Sequence, residues 1–349
     1  MLKFSRERER EFFRVLFHEV VSISNLLEAW KKFSQGKRNG DEVAHFEIHL
    51  EYNIFTLHKK LVEKTYVHDP YIEFVVCDPK RRNIHKASVR DRVLHQAIFQ
   101  KLYPLFDRYF IYDSYSSREN KGTHLGIERL ISFCRKETKS YTRTAYVLKC
   151  DIRKFFDSID HDILKKLLYD RVLDQDLRGL IEIVMNSFEK TPGVGLPLGN
   201  VTSQLFANIY MNEFDQFAKH VLKAAYYGRY CDDFVIVSSS KNWLDSLIPQ
   251  IELFFCKTLQ LQLHPNKISL RKVSQGIDFL GYVIRPHVIT IRTSTRRRIV
   301  RKVKNAHQNF LAGFLGQESY QAVVQSYLGI VSHARDREME IFLKKFIRK

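Results

Sequence analysis

The stretch Tyr226–Val237, YYGRYCDDFVIV, decides how the chain is read. It is rich in aromatic and β-branched residues, a composition that favours strands, and its only acids are Asp232 and Asp233. A β-hairpin accounts for the layout: Tyr226–Tyr230 pairs with Phe234–Val237, and Cys231–Asp233 forms the tip. Adjacent carboxylates repel each other and are costly near a core unless a cation neutralises them. Taken alone, the dipeptide suits an exposed acidic turn better than a metal site. Outward from it, YVLKC (Tyr146–Cys150) reads as another strand, ending at Asp151. If that strand lies beside the hairpin, the carboxylates converge on an oxygen-rich site of the kind Mg²⁺ prefers, and the exposed-turn reading gives way. Cys231 reads as an inert small hydrophobe.

The chain has 349 residues, and 57 Lys and Arg against 39 Asp and Glu leave a net charge of +18. Its hydrophobic share of 44% excludes a disordered basic tail. No apolar run reaches the roughly 18 residues of a membrane span, and MLKFSRERER lacks the apolar core of a secretory signal, so no membrane association is expected. Five scattered cysteines without a CxxC pair argue against a disulfide framework or zinc site and fit a cytoplasmic location. The charge points to a polyanion. It is uneven: residues 291–349 hold thirteen basic and four acidic residues, half the net charge. A second basic cluster runs from Lys80 to Arg92. Apolar spacing after the C-terminal run (Phe310, Leu311, Phe314, Leu315, Val323, Val324, Tyr327, Leu328) predicts helices with a basic face rather than a tail.

Helical periodicity is expected over Ser5–Phe33, Val43–Lys64, Val89–Tyr103, Asp162–Leu168, Leu177–Asn186, Thr202–His220 and Leu244–Leu259. Tyr71–Asp78 reads as a strand, Gly193–Gly199 as a glycine-rich loop and Gly276–Ile291 as short strands around a turn. Without regular strand–helix alternation, the class is α+β.

DIRKFF (Asp151–Phe156), LPLGNVTSQ (Leu196–Gln204), YCDD (Tyr230–Asp233) and FLGY (Phe279–Tyr282) occur in the order of the motifs of reverse transcriptases. PKRRNIHKASVRDRVLHQAI (Pro79–Ile98), DSYSSRENKGTHLG (Asp113–Gly126) and SYLGIVSHA (Ser326–Ala334) extend the likeness over essentially the whole chain. The chain resembles most the enzymes of bacterial diversity-generating retroelements, through its GKR-containing N-terminal region (Gly36–Arg38) and Gln204, where retroviral and intron enzymes usually carry proline.

The resemblance implies a right-hand polymerase fold. Residues 1–140 would form N-terminal helices and fingers with part of the palm, 141–290 the palm with inserted fingers helices, and 291–349 a basic helical thumb. It implies RNA-directed DNA synthesis with two Mg²⁺ ions, Mn²⁺ being a substitute. Asp151 and Asp232 would ligate both ions, Asp233 more weakly, and Ile152 through its carbonyl. Phe156 would be the aromatic gate against a ribose 2′-hydroxyl; Phe155 and Phe156 cannot both face one pocket, so one of them belongs to the core. Lys80 and Arg82 match a triphosphate clamp, with surface cations as the alternative. Leu198, Gly199, Ser203 and Gln204 match the loop and helix start that hold template base and nucleotide; Gln204 either bonds the template or caps local backbone. Lys267 matches a general acid for pyrophosphate, or is a plain surface lysine. Phe279, Leu280 and Gly281 would support the primer terminus, Arg118 and His124 the template, with a packed histidine as the alternative for His124. Arg297 and Arg301 would meet the hybrid backbone.

The implied partners are a template RNA, the RNA–DNA hybrid, dNTPs and a basic accessory protein. The chain is expected to stop at the thumb, without an RNase H domain. A retron-type or phage-defence enzyme shares the same motifs, and a non-catalytic RNA-binding scaffold is the reading from another class.

Overall fold

The computed structural model describes residues 15–78, 80–334 and 336–346. Their helices and strands divide into two units. The first runs to Arg118 and adds Ile152–Lys223 and Gln250–His264; the second comprises Glu119–Asp151, Ala224–Pro249 and the chain from Pro265 onward. The α+β class holds, with antiparallel sheets throughout the described residues. No described helix is long and apolar enough to cross a membrane.

The first unit is mainly helical. Its Val89–Asp107 helix is capped by Ser88, whose hydroxyl accepts from the Asp91 amide. Val93, Leu94, Ala97, Ile98 and Leu102, at helical spacing, are fully buried on it. It packs against the Ile23–Ser34 and Val201–Gln216 helices. The Asn25 amide donates to the Ala97 carbonyl and the Gln100 amide donates to Asn25 Oδ1, which ties the two helices through buried polar groups. A hairpin of β1 (Ile72–Val76) and β2 (Arg82–Lys86) precedes the helix.

Several expected helices are divided. Residues 5–14 of the first lie outside the described residues, and its remainder breaks at Ser22 into Phe17–Val21 and Ile23–Ser34. Ser22 has extended ψ and its hydroxyl caps the Asn25 amide, the competition with helical backbone that makes serine a boundary residue. The second breaks at His49 into Asp41–Ile48 and Leu50–Val62. The Val89 helix instead outruns its expected end and continues through Pro104, which removes only one donor there.

In the second unit, β3 (Tyr146–Asp151), β4 (Tyr226–Tyr230), β5 (Asp233–Ser238) and β6 (Ser269–Lys272) form a sheet of order β4-β5-β3-β6. Val147, Val235 and Val237 share a core with Ile127, Leu130 and Phe133 of the Thr123–Glu137 helix. Phe234, Ile236, Leu148 and Cys150 alternate to the other side and are buried too. A second sheet, β7 (Ile277–Phe279), β8 (Tyr282–Arg285) and β9 (Val288–Ile291), shares that core with the Thr293–Leu311, Gln317–Ser332 and Arg337–Lys344 helices.

The C-terminal basic segment folds as helices, as expected, and most of its expected apolar face packs inward: Val324 is buried, and Phe310, Leu315, Tyr327 and Leu328 lie partly buried against the core. Ile299, Val303, Tyr320, Val331, Met339 and Leu343 are buried beside them, whereas Leu311 and Phe314 are exposed, because the helix ends at Leu311 and turns there.

Candidate active site

The acidic hairpin is built as its sequence predicts, with a sharper tip. β4 pairs with β5 from Tyr226↔Val237 to Tyr230↔Asp233, leaving Cys231 and Asp232 as a two-residue loop. Cys231 takes φ +57°, a left-handed residue of the kind that matches tight hairpins to strand twist. Asp233 is therefore the first residue of β5 and Asp232 the last of the turn. Burial pushes the Cys231 thiol up to about 12, in keeping with an inert thiol.

Register explains the surroundings of Asp151. On one side of Asp151, antiparallel pairing of β3 with β5 sets it opposite Asp233. On its other side, β3 pairs with β6 as far as Lys149↔Ser269, and the short 3₁₀ turn Pro265–Lys267 just before β6 carries Lys267. Lys267 Nζ is 2.6 Å from Asp151 Oδ1, so this residue is held at the carboxylate.

Lys149, which the sequence reading passed over, lies two residues before Asp151 and hence on the same strand face. Its Nζ is 3.2 Å from Asp233 Oδ2, donates to the Asp278 carbonyl at 2.9 Å and sits 5.8 Å from the centre of the Phe279 ring. The signal for it was the alternation K-x-D at the end of a strand.

The electrostatics follow from crowding. Burial, first, and the charge of Asp151 raise the Asp232 carboxyl above the usual carboxylate range. Burial pushes Asp233 up to about 6 against the pull of Lys149. Asp233 Oδ1 is buried without a hydrogen-bond partner.

Among the described residues, no group of three or more His, Cys, Asp or Glu side chains is gathered closely enough to hold a metal ion. Asp151 and Asp233 stand opposed on neighbouring strands, with Asp232 beside them on the turn. Two ammonium groups supply the positive charge that such carboxylates require. The donor chemistry still fits a divalent cation: the acids are oxygen donors, two of them are disfavoured as anions by burial, and one oxygen is orphaned.

The other predicted residues of this unit lie on its second sheet and helices. Leu280 and Gly281, with φ of +50° and +91°, turn β7 into β8, and Phe279 is buried. His124 stacks on His333 with ring centres 3.4 Å apart, its Nδ1 is buried and unpartnered, and burial lowers its imidazole. Within the basic run, Arg292 pairs with Asp278 and Arg296 with Glu338, whereas Arg297 and Arg301 are exposed on the opposite helix face from Ile299 and Val303.

In the first unit a hydrogen-bonded clasp gathers the other predicted residues. The Leu196 amide donates to the Phe156 carbonyl at 2.8 Å, and the His85 amide of β2 donates to the Leu198 carbonyl at 3.1 Å. Asn200 Nδ2 donates to the His85 carbonyl. Gly199 has φ +114°, and a Cβ there would lie 3.0 Å from Ile84 Cγ2, so glycine is needed for the strand to approach. Phe155 is buried and Phe156 half-buried, their rings edge to face, so the two do not share one environment. Ser203 is buried and Gln204 exposed on the helix that follows. Ile152 buries its side chain and bridges Leu263.

The second basic cluster is divided. Lys80, Arg81 and Arg82 are exposed, but Lys86 and Arg92 pair with Glu42, and Arg90 with Asp91. Arg118 is engaged inside its own loop: it bonds the Asp107 carboxylate and the carbonyls of Asp107, Ile111 and Ser114.

The chain is similar to known proteins. Protein YkfC of Escherichia coli (strain K12) is 25% identical over 244 residues, which cover 58% of this chain and 63% of YkfC. The group II intron-encoded protein LtrA of Lactococcus lactis subsp. cremoris is 23% identical over 275 residues, covering 59% of this chain and 45% of LtrA. The chain thus spans less than two thirds of either relative. Among solved structures, apo telomerase from Candida tropicalis, truncated from its C-terminal domain, aligns with 70% of this chain and 60% of its own at a TM-score of 0.48 and 13% identity. The family described as reverse transcriptase (RNA-dependent DNA polymerase) matches residues 77–284. That span takes in β2, the Phe156 clasp, both strands that bear the aspartates and the Leu280 turn, and the chain belongs to this reverse transcriptase family, with its right-hand polymerase fold.

Proposed function

We propose that the chain is an RNA-directed DNA polymerase that copies a dedicated template RNA into cDNA by two-metal nucleotidyl transfer, as the enzyme of a diversity-generating retroelement. The observation that carries the polymerase reading is the register that opposes Asp151 to Asp233, with Asp232 beside them, inside a matched reverse transcriptase span.

Asp151 and Asp232 would hold two Mg²⁺ ions, or Mn²⁺ in their place, with Asp233 and the Ile152 carbonyl in support. Bound there, the ions would make the primer 3′-hydroxyl a better nucleophile and offset the charge of the departing pyrophosphate. The protein's own groups do the rest. Lys267, held beside Asp151, delivers a proton to a leaving phosphate oxygen. Lys80 and Arg82 grip the triphosphate; Phe156 excludes a 2′-hydroxyl, so the product is DNA. Gly199, Ser203 and Gln204 position nucleotide and template. Phe279–Gly281 steadies the primer end, and Arg118 and His124 belong to the template side. Arg297 and Arg301, exposed on one helix face, track the hybrid's phosphates. In this reading residues 1–140 are N-terminal helices and fingers, 141–290 palm with inserted fingers, and 291–349 thumb. Free cysteines at 77, 134, 150, 231 and 256 suit work in the cytoplasm.

Gln204 and the Gly36–Arg38 segment support the diversity-generating assignment, which brings a template-repeat RNA, a basic accessory protein and copying errors at adenines. Sequencing the RNA and cDNA that co-purify with the protein from its native host tests it. Substitutions concentrated at template adenines are expected. Faithful or repetitive cDNA from a structured RNA would instead mark a retron-type or defence enzyme.

A further inference from the structure

A cleft of about 600 Å³ in the second unit is lined by Arg135, Ser140, Tyr141, Arg285, His287 and His333, with apolar side chains of β9 beneath them. The volume is that of an ordinary ligand site, roughly 300–1,000 Å³. No carboxylate is among the described lining residues, and of these only His333 touches a residue of the candidate site above, through its stack on His124.

The two rings that face each other here stand on unusual backbone. Lys139, Ser140 and Tyr141 have φ of +48°, +58° and +69°, three successive left-handed residues without a glycine. L-residues enter that region singly and at a cost. The turn is pinned by its hydrogen bonds: the Tyr141 amide donates to Thr138 Oγ1, the Ser140 amide to the Arg135 carbonyl and the Arg143 amide to the Thr138 carbonyl.

Opposite, β8 and β9 close through Arg285↔Val288, leaving Pro286 and His287 as the loop. His287 has φ +64° after a proline, the position at which a type II turn ordinarily takes glycine or asparagine. The Tyr141 and His287 rings meet at 4.9 Å and 68°. Strained residues that their surroundings hold in place cluster at ligand clamps. Arg135 and Arg285 have no carboxylate partner among the described residues; Arg285 only donates to Thr290 Oγ1, at 3.3 Å. Guanidinium forks suit phosphate oxygens, and aromatic faces suit bases.

We infer that this cleft binds an RNA nucleotide, its phosphate held by Arg135 and Arg285 and its base set against Tyr141 and His287. The inference deepens the RNA-directed reading and rests on it for the identity of the strand: the enzyme would hold its RNA at a point that is not being copied. The same chemistry could be met by a free mononucleotide.

The test uses the full chain and a short single-stranded RNA carrying 4-thiouridine, irradiated and mapped by mass spectrometry. Cross-links at Tyr141 or His287 are expected, and Arg135→Gln with Arg285→Gln should reduce them at least about ten-fold. Arg135→Lys with Arg285→Lys should restore part of the yield, since charge returns without the fork. If excess adenosine 5′-monophosphate removes the cross-links, the natural occupant is a free nucleotide; if it does not, the occupant is a strand. Cross-links confined to other segments of the wild-type chain would overturn the inference, and that map decides even where a variant misfolds. Incorporation of dNTPs on a primed RNA template, measured on the same preparation, separates the two readings. An inactive enzyme with cleft cross-links loses the polymerase assignment alone, and an active one without them loses the cleft alone.

Discussion

Asp233→Asn should stabilise the metal-free protein even as it damages catalysis. In the fold, burial and the neighbouring carboxylates push this acid from 3.8 up to about 6, despite Lys149. A pKa raised in the folded state means that the group's contribution to stability is complete below pH ~4 and lost as pH rises through about 6. The ionised carboxylate therefore costs about 3 kcal/mol at pH 8 and about 1 kcal/mol at pH 4.5, by linkage across a shift of some two units. Asparagine resembles the neutral acid in shape and removes that cost. Urea unfolding in EDTA of wild type and Asp233→Asn, at both pH values, measures it. The variant is expected to be the more stable by about 3 kcal/mol at pH 8, with the gap shrinking to about 1 kcal/mol at pH 4.5. Added Mg²⁺ should narrow the gap at pH 8, because a ligand of the folded wild type stabilises it by mass action. A variant no more stable than wild type at pH 8, or a gap independent of pH, would refute the electrostatic description of the hairpin.

Three further outcomes follow from the geometry. Burial pushes the His95 imidazole down to about 3, so its contribution is whole above pH ~6.5 and lost as pH falls; wild type should lose about 2 kcal/mol more than His95→Gln between pH 7 and 5, read by urea unfolding. Gly199→Ala places a Cβ 3.0 Å from Ile84 Cγ2 at φ +114°; stability should fall by about 1–3 kcal/mol, and the KM for dNTP should rise as the clasp opens, both measurable on one preparation. Phe156→Ala should admit ribonucleotides in primer extension, and unchanged sugar discrimination would contradict the gate.

The hairpin and its partner strand were legible because a tight turn, β-branched flanks and a misplaced acidic pair coincide within twelve residues of sequence. The divisions at Ser22 and His49 were not, since helical periodicity runs on through both and only the local backbone departs from it. Lys149 was readable in principle from strand alternation, but its partner Asp233 lies on a different strand, and only register brings them together. The same holds for Lys267, whose closeness to Asp151 rests on the pairing of β3 with a strand more than a hundred residues away. Charge counting overstated the exposed basic surface: Lys86, Arg92, Arg292 and Arg296 are engaged with acids of the chain itself. The clasp of His85 on Leu198 joins two motifs through backbone atoms, which carry no signature in side-chain sequence.

The central claim, that the opposed aspartates make this chain a polymerase, is tested most directly by Mg²⁺-dependent dNTP incorporation on a primed RNA template. Wild type and Asp232→Ala should be compared together with the co-purified RNA and accessory protein. The account predicts incorporation by wild type, its loss in Asp232→Ala, and RNA binding largely kept by the variant. Equal incorporation by the two proteins, or none by wild type under these conditions, would contradict it.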